Sequence, residues 1–334
     1  MRSRGIYLIL VACLSGVIFL SLFIGRYPLS MISVMKMLWS KLTLSSTDLP
    51  NIYETVVWEI RMPRAILGAF VGGSLAISGT AFQGLFRNPL VSSGILGVSS
   101  GAGFGAALAI LLFNTKISIY LFAFLFALLA VLLSYWIGRI YNTTPTIMLV
   151  LGGTIVSAVF SALLSFIKYV ADPYDKLPTI VYWLMGSLAS ARTGDIKIAI
   201  IPMLIGIIGV WVLRWRINVL SMGDREARSL GINASVDKAL VIFFATIATA
   251  GAVSVSGTIG WVGLIIPHIG RMLVGNDNSR LIPASFFLGA SFLIVVDLAG
   301  RMLTGSEIPL SILTALIGAP FFIYLLKITK GKGW

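Results

Sequence analysis

Two arginines stand three residues apart in the segment Arg61-Met62-Pro63-Arg64, directly before a long apolar run. Residues with this spacing share one face of a helix, and Pro63 suits the first helical turn, where its missing N–H breaks no hydrogen bond. The N-terminus of a helix carries partial positive charge, so two cations there favour an anionic partner. Arg301, at the predicted end of another apolar run, could join them. An acidic protein surface, lipid headgroups and the nearby Glu59 all remain possible partners.

A short charged segment, residues 221–231, has the features of a helix outside the membrane. Ser221 with Asp224 resembles the start of a capping box, and Gly231 is a typical residue at a helix C-terminus. Ala227 and Leu230 are expected on one face of this helix. The segment is either a contact for another protein or an ordinary loop helix. The candidate contact residues are Ser221, Asp224, Glu226, Ala227, Arg228, Leu230 and Gly231.

The turn Arg87-Asn88-Pro89-Leu90 separates two long apolar runs, and Asn-Pro is a turn signal. Such a turn is either a gate or a plain connector. His268 is the sole histidine, next to Pro267, and is expected to be structural. Asp297 is the only acidic residue well inside a predicted span, so it is either functional or an ion-pair partner of Arg301 four residues on.

Membrane spans must position these residues. The 334-residue chain is 58% hydrophobic and 11% charged, whereas soluble domains are about 25% charged. A spanning helix needs roughly 20 apolar residues, and charge-free stretches of that length recur along the chain. The sequence therefore predicts an all-α integral membrane protein with about ten transmembrane helices. The expected spans are 5–25, 62–86, 92–113, 117–138, 144–168, 192–213, 238–256, 259–275, 281–301 and 307–327.

The net charge of +13 comes from Lys and Arg at the ends of the apolar runs. No basic stripe of the kind that binds nucleic acid is present, so we predict no nucleic-acid partner. The distribution of Lys and Arg favours two cytoplasmic termini, a cytoplasmic segment 214–238 and an outer segment 26–61. Segment 169–191 contains an apolar run too short to span, which predicts an interfacial or re-entrant helix. The single cysteine, Cys13, excludes an intrachain disulfide.

Several blocks together resemble the FecCD family of ABC-transporter permeases, which includes vitamin B12, iron-siderophore and haem importers. The blocks are 61–64, 83–90 with 94–97, 227–231, 260–268, and 307–309 with 315–321. The resemblance implies a type II ABC importer permease fold, with residues 1–334 forming a single permease domain. It also implies a second permease subunit, two ATPase subunits and a substrate-binding protein in a bacterial or archaeal cytoplasmic membrane. We expect the second permease subunit to be identical, with a heterodimer as the alternative, since some relatives pair as heterodimers.

The resemblance also implies roles for individual residues. Arg61, Arg64 and Arg301 match positions that pair with acidic residues of the binding protein, and residues 221–232 match the coupling helices seated in the ATPase. The fifth and tenth helices, with segment 174–185, are expected to line the pathway. The implied gate residues are Asn88, Pro89 and Leu90, with Thr144 and Thr146 as further candidates.

The chain lacks the G-x-x-x-x-G-K-[ST] phosphate loop. ATP and Mg²⁺ are therefore expected on the separate ATPase subunits, and this chain is expected to be a transport subunit, without cofactor or metal, rather than an enzyme. The expected mechanism is ATP-driven alternating access.

The spans supply almost no ionisable residues, which suits a large chelate: a ferric siderophore first, haem or cobalamin second. Molybdate or tungstate import in the same family remains an alternative. An ion-gradient-driven transporter is another, although it would usually need buried acids at mid-membrane. A membrane enzyme or a receptor is less consistent with the lone histidine and the charged segment 221–231.

Overall fold

The computed structural model describes residues 2–43, 49–139 and 144–329, which are predominantly helical. The helices are α1 (Arg2–Phe23), α2 (Met31–Thr43), α3 (Asn51–Glu54) with a π-helical segment (Thr55–Arg61), α4 (Met62–Phe86), α5 (Val98–Leu112), α6 (Lys116–Gly138), α7 (Thr146–Val170), α8 (Lys176–Leu184), α9 (Thr193–Val212), α10 (Arg214–Met222), α11 (Asp224–Ser229), α12 (Ala234–Ser256), α13 (Val262–Val274), α14 (Asn278–Met302) and α15 (Leu310–Thr329).

Ten apolar helices account for the predicted spans. Within the described residues, seven helical runs are long and apolar enough to cross a membrane, and α5, α13 and α15 are shorter apolar helices. The predicted all-α membrane architecture is confirmed. One boundary differs clearly, because the span expected from residue 92 begins only at Val98. Turns closed by Ile95 N–H to Ser92 O and by Gly97 N–H to Gly94 O precede it, and Gly97 has a φ of +86°.

α4 is the central helix of the bundle. It packs against α9, α12, α13 and α14, and most of its side chains are buried. A Cβ added to Gly72 would lie 2.2 Å from the carbonyl oxygen of Gly289, and one added to Gly79 would lie 2.1 Å from that of Gly263. Helices gain little from the hydrophobic effect in lipid, so this close backbone approach supplies the packing that holds α4 in place.

The chain breaks between α12 and α13, as the glycines around residue 260 predict. The backbone polar groups of this break and of neighbouring helix ends satisfy one another. Ser187 N–H donates to the Ser256 carbonyl at 2.8 Å, and Leu310 N–H donates to the Gly186 carbonyl at 2.9 Å. Non-helical backbone at membrane depth requires such internal partners. The ends of α8, α12 and α15 therefore form one hydrogen-bonded junction.

Candidate functional site

The polar residues identified in the sequence lie at two opposite ends of the bundle. Residues 61–64 precede α4 and open it, while residues 87–90 follow its last turn. The loop 303–309 meets the first end through Arg64, and the segment 214–233 meets the second, where a Cβ on Gly223 would lie 3.5 Å from Arg87 Nη1. We call the first the arginine end and the second the loop end.

Arg64 binds two carboxylates at the arginine end. Its Nη2 donates to Asp297 Oδ1 at 2.7 Å, and its Nε donates to the same carboxylate at 3.0 Å. Its Nη1 and Nη2 donate to Glu307 at 3.0 and 2.8 Å. The side chains of Arg64 and Asp297 are only 7% and 3% exposed. One guanidinium thus joins α4, α14 and the loop 303–309 away from water.

The other two predicted arginines lie beside this pair. Arg301 Nε is 3.2 Å from Asp297 Oδ2, an ion pair without hydrogen-bond geometry, which confirms the predicted pairing of these two residues. Arg61 donates from Nη1 to the Leu22 carbonyl at 2.7 Å and from Nη2 to the Tyr27 carbonyl at 2.5 Å. The structure therefore brings all three arginines together but buries them, with internal partners other than Glu59.

Two members of this cluster were missed by the sequence analysis as site residues. Glu307 is the second carboxylate on Arg64, and Arg26 donates to the carbonyls of Arg301 and Thr304. Burial alone would raise the pKa of Glu307, but the hydrogen bonds and charge of Arg64 outweigh it and hold that pKa below the usual glutamate range. Arg301 ends one predicted span and Glu307 begins the next, so both residues flank the same short loop. That shared position is the signal that could have identified Glu307 as a neighbour of Arg301.

At the loop end, the helix start predicted at Ser221 is wrong. α10 continues through Met222, and the Ser221 hydroxyl donates to the Asn218 carbonyl at 2.6 Å, as hydroxyls inside helices commonly do. α11 begins after Gly223, whose φ of +133° favours glycine. The predicted stop at Gly231 is confirmed. Its N–H donates to the Arg228 carbonyl, and Ile232 N–H donates to the Ala227 carbonyl, the two bonds of a Schellman motif.

α11 presents an outward surface. Ala227 is fully buried, whereas Leu230 is 55% exposed, so the expectation that these two residues share a face is wrong. Leu230 occupies the C-cap position, where the chain leaves the helical path. The exposed residues around it are Met222, Arg225, Glu226, Arg228 and Ser229. This mixed apolar and charged patch is available to a second protein.

Ion pairs connect α10 and α11 to the spans. Lys238 Nζ donates to Asp224 Oδ2 at 2.7 Å and to the Thr144 carbonyl at 3.1 Å. Arg216 pairs with Asp237 near the start of α12. Lys238 therefore links α11 to α12 and to the residues just before α7.

The gate candidates also lie at the loop end. Arg87, with a φ of +52°, ends α4, and the Asn88 side chain accepts a hydrogen bond from Leu90 N–H at 2.9 Å, an Asx turn. Leu90 is exposed. Thr144 is buried, and its hydroxyl has no hydrogen-bond partner among the described residues. Thr146 begins α7.

Three remaining features are a cavity, the sole histidine and the possibility of a metal site. A cavity of about 550 Å³ between α6 and α12 includes Thr144 in its lining. His268 is buried, and its ring lies 5.8 Å from that of Phe321, centroid to centroid. In the part of the chain that the structure describes, no three His, Cys, Asp or Glu side chains cluster in a way that could hold a metal ion.

In the part of the chain that the structure describes, ten apolar helices form a bundle with ion-pair clusters at its two ends, an architecture typical of a polytopic membrane protein. A model of the FecCD transport family matches residues 10–327, and the chain belongs to this family. The family resemblance in the sequence is thereby confirmed.

Two relatives and one solved structure define the likeness further. The chain is 41% identical over 313 residues to the molybdate import system permease protein MolB of Haemophilus influenzae, covering 93% of this chain and 92% of that protein. It is 43% identical over 276 residues to a probable iron chelatin transport system permease protein of Helicobacter pylori, covering 83% of each. A metal-chelate type ABC transporter solved in an inward-facing conformation matches with a TM-score of 0.87 and 38% identity, over 97% of this chain and 99% of that one.

These findings define the chain as a multi-pass permease of an ABC importer with the expected fold. Permeases of this family are transport components that work with ATPase and substrate-binding protein partners. In bacteria they lie in the inner membrane.

Proposed function

We propose that this chain, acting as one permease domain, pairs with an identical copy and two ATPase subunits to import an iron chelate, with a ferric siderophore as the first candidate. ATP binding and hydrolysis on the ATPase subunits would drive alternating access. Both termini and the loop end would face the cytoplasm, and the arginine end would face a substrate-binding protein. The observation that carries this proposal is the exposed patch around Leu230 on a helix that stands outside the spans.

Charge supports docking of a binding protein at the arginine end. In the described part of this cluster, four arginines (Arg26, Arg61, Arg64 and Arg301) stand against two carboxylates (Asp297 and Glu307), a net charge of +2. A surface potential of this sign attracts and orients an acidic partner. The arginines already have internal partners. Acidic residues of the binding protein would therefore be attracted by this potential and would bind those parts of the guanidinium groups that become exposed on docking.

The loop end supports coupling and gating. α11 and Leu230 would sit in a cleft of the ATPase, and Lys238 would carry a displacement of Asp224 to the segment before α7. Asn88, Pro89 and Leu90, with Thr144 and Thr146, would form the cytoplasmic gate. The support is proximity, since the turn after α4 and the start of α7 lie at the same end as α10 and α11.

The buried charges disfavour an ion-gradient transporter. Such a protein would usually carry an acid free to bind an ion at mid-membrane, whereas Asp297 is shared between Arg64 and Arg301 near the end of α14. Molybdate import is the second candidate, because a relative 41% identical to this chain is named as a molybdate permease.

Purification of the chain from its native membrane in mild detergent tests the importer complex. We expect an ATPase subunit in equal amount, and we expect Leu230→Asp to lose it by placing a charge in the contact. Tyr174→Asp is the matched control, because Tyr174 is 93% exposed but lies beyond the other end of α7, and it should retain the ATPase. A Leu230→Asp variant that keeps a full complement of ATPase would contradict the assigned contact.

The co-purifying binding protein decides between the substrates. A ferric siderophore that raises its thermal unfolding temperature, with no effect of molybdate, supports the iron chelate. The reverse result replaces it by molybdate.

A further inference from the structure

α2 lies at the arginine end and presents three different faces. The first is buried: Val34 and Met37 are 0% and 3% exposed. They pack in a cluster with Leu22 at the end of α1 and with Val57 in the π-helical segment, and Trp58 packs against the same cluster. α2 therefore lies beside the point where the first span ends.

The second face is apolar but exposed. Its five members have exposed fractions from 51% to 80%, the most exposed being Leu42. They fall within one sector of the helix at about 100° per residue. They are Met31, Ile32, Met35, Trp39 and Leu42.

The third face is polar. It consists of Ser33, Lys36, Ser40 and Thr43. On a helical wheel the centres of the buried, apolar and polar faces lie roughly 110–140° apart. Lys41 falls in the same sector as Val34 and Met37 but is exposed in the last turn of α2, and its ammonium lies 5.9 Å from the centre of the Trp58 ring.

A helix with three such faces is matched to three surroundings, namely protein, hydrocarbon and water. We propose that α2 is an in-plane membrane anchor: its apolar face enters the lipid at the arginine end, and its polar face points to water. Tryptophan is favoured at the membrane–water boundary, and lysines there reach lipid phosphates. An amphipathic helix in this position buries its apolar face about 5–10 Å into the headgroup and acyl boundary.

A lipid surface fits the apolar face better than a docked protein does. The proposed binding-protein contact at this end depends on arginines, whereas this face carries no charge. Leu20 of α1 is also exposed, two residues before Leu22, which packs in the same cluster as the buried face of α2. The apolar face of α2 and the exposed side of α1 would then contact the same hydrocarbon.

The anchor would fix the position of the arginine cluster relative to the membrane. Tyr27, four residues before α2, accepts a hydrogen bond from Arg61 through its carbonyl and packs edge-on against Tyr53 at 5.9 Å. The segment before α2 therefore connects the lipid-embedded helix to the arginine end. This role is independent of which substrate or binding protein the importer uses.

Spin labelling tests the anchor directly. Cys13, the sole cysteine, is replaced by alanine, and nitroxides are attached to three adjacent pairs of single-cysteine variants in the purified complex in lipid nanodiscs. The pairs are Ile32→Cys with Ser33→Cys, Met35→Cys with Lys36→Cys, and Trp39→Cys with Ser40→Cys. Within each pair the backbone environment is nearly the same, so one member serves as the control for the other.

We expect the first member of each pair to collide more with oxygen than with a water-soluble nickel chelate, at a depth of about 5–10 Å below the phosphates. The second member should show the opposite preference. If all six positions favour the nickel chelate, the apolar face lies in water and the proposal is overturned. If the apolar positions are shielded from both reagents, a second protein covers this face and the anchor is equally excluded.

Discussion

The two ends of α4 are stabilised by different kinds of ion pairs. At the arginine end, Arg64, Asp297 and Arg301 are all less than 10% exposed and lie against one another. At the loop end, two pairs join one buried group to one exposed group, and a third pair, Arg280 with Asp277, is exposed on both sides. Lys238 is 3% exposed and its partner Asp224 is 44% exposed, while Asp237 and Arg216 are 5% and 49% exposed.

This difference has mechanical consequences. Water and salt screen half-exposed pairs, so their rearrangement costs little. Breaking a buried pair leaves an uncompensated charge in a low-dielectric environment and costs far more. The arginine end is therefore a fixed platform, and the loop end is a set of contacts that can exchange. In an importer this arrangement suits docking at one end and movement driven by an ATPase at the other.

The largest expected effect comes from removing the central carboxylate of the arginine end. Asp297→Asn leaves Arg64 and Arg301 without their shared counterion, and we expect a loss of about 3–5 kcal/mol of stability. Thermal unfolding in detergent measures it. Asp175→Asn, which changes a largely exposed carboxylate, should unfold like the wild type. Wild-type stability of Asp297→Asn would show that the arginine end does not depend on this charge.

A smaller effect is expected from the helix stop at the loop end. Gly231 has a φ of +77° with no atom near a new Cβ, so Gly231→Ala costs only the left-handed backbone energy, about 1–2 kcal/mol. Hydrogen exchange should increase in residues 224–232 and nowhere else. Gly194→Ala, also without close neighbours but not left-handed, is the control and should leave exchange unchanged. Equal protection in both variants would mean that the Schellman motif does not hold α11.

The screened pair at the loop end should contribute less. Asp224→Asn removes the charge that pairs with the buried Lys238. Asp224 is half-exposed, and the Thr144 carbonyl and the new amide oxygen can still accept from the ammonium, so we expect a loss of about 1 kcal/mol. The difference from the wild type should shrink in high salt, whereas that of Asp297→Asn should persist. A salt-independent loss as large as that of Asp297→Asn would remove the distinction between the two ends.

The smallest effect is a pH dependence at Glu307. Arg64 lowers the pKa of this carboxyl, so its ion pair contributes stability above the ordinary glutamate pKa and loses it as the pH falls through the lower, folded value. The gap in unfolding temperature between the wild type and Glu307→Gln should be greatest at neutral pH and close on acidification. A gap that stays constant into the acid range would show that the contact does not depend on charge.

Local sequence patterns predicted the features that depend on short-range physics. The apolar runs predicted nine of the ten span positions to within a few residues. Gly231 predicted the end of α11, because the Schellman motif there requires a residue in the left-handed conformation. The ion pair of Asp297 with Arg301 followed from four-residue helical spacing.

The contacts that depend on distant segments were not predictable in the same way. Arg64 meets Glu307 across 243 positions of the chain, and no local pattern reports that approach. The error at Ser221 has a local cause, because the pattern that resembles a capping box also fits the end of a preceding helix. Only the packing of α10 against the spans shows that Ser221 lies near the end of α10 and not at the start of α11.

Hydrogen exchange of the complex with its ATPase, compared without nucleotide and with a non-hydrolysable ATP analogue, tests the contrast between the two ends most directly. We predict changed exchange in residues 87–97, 144–149 and 214–232 at the loop end, with none in residues 61–64 and 297–309. Changes confined to the arginine end, or of equal size at both ends, would contradict a fixed platform opposite a movable coupling surface.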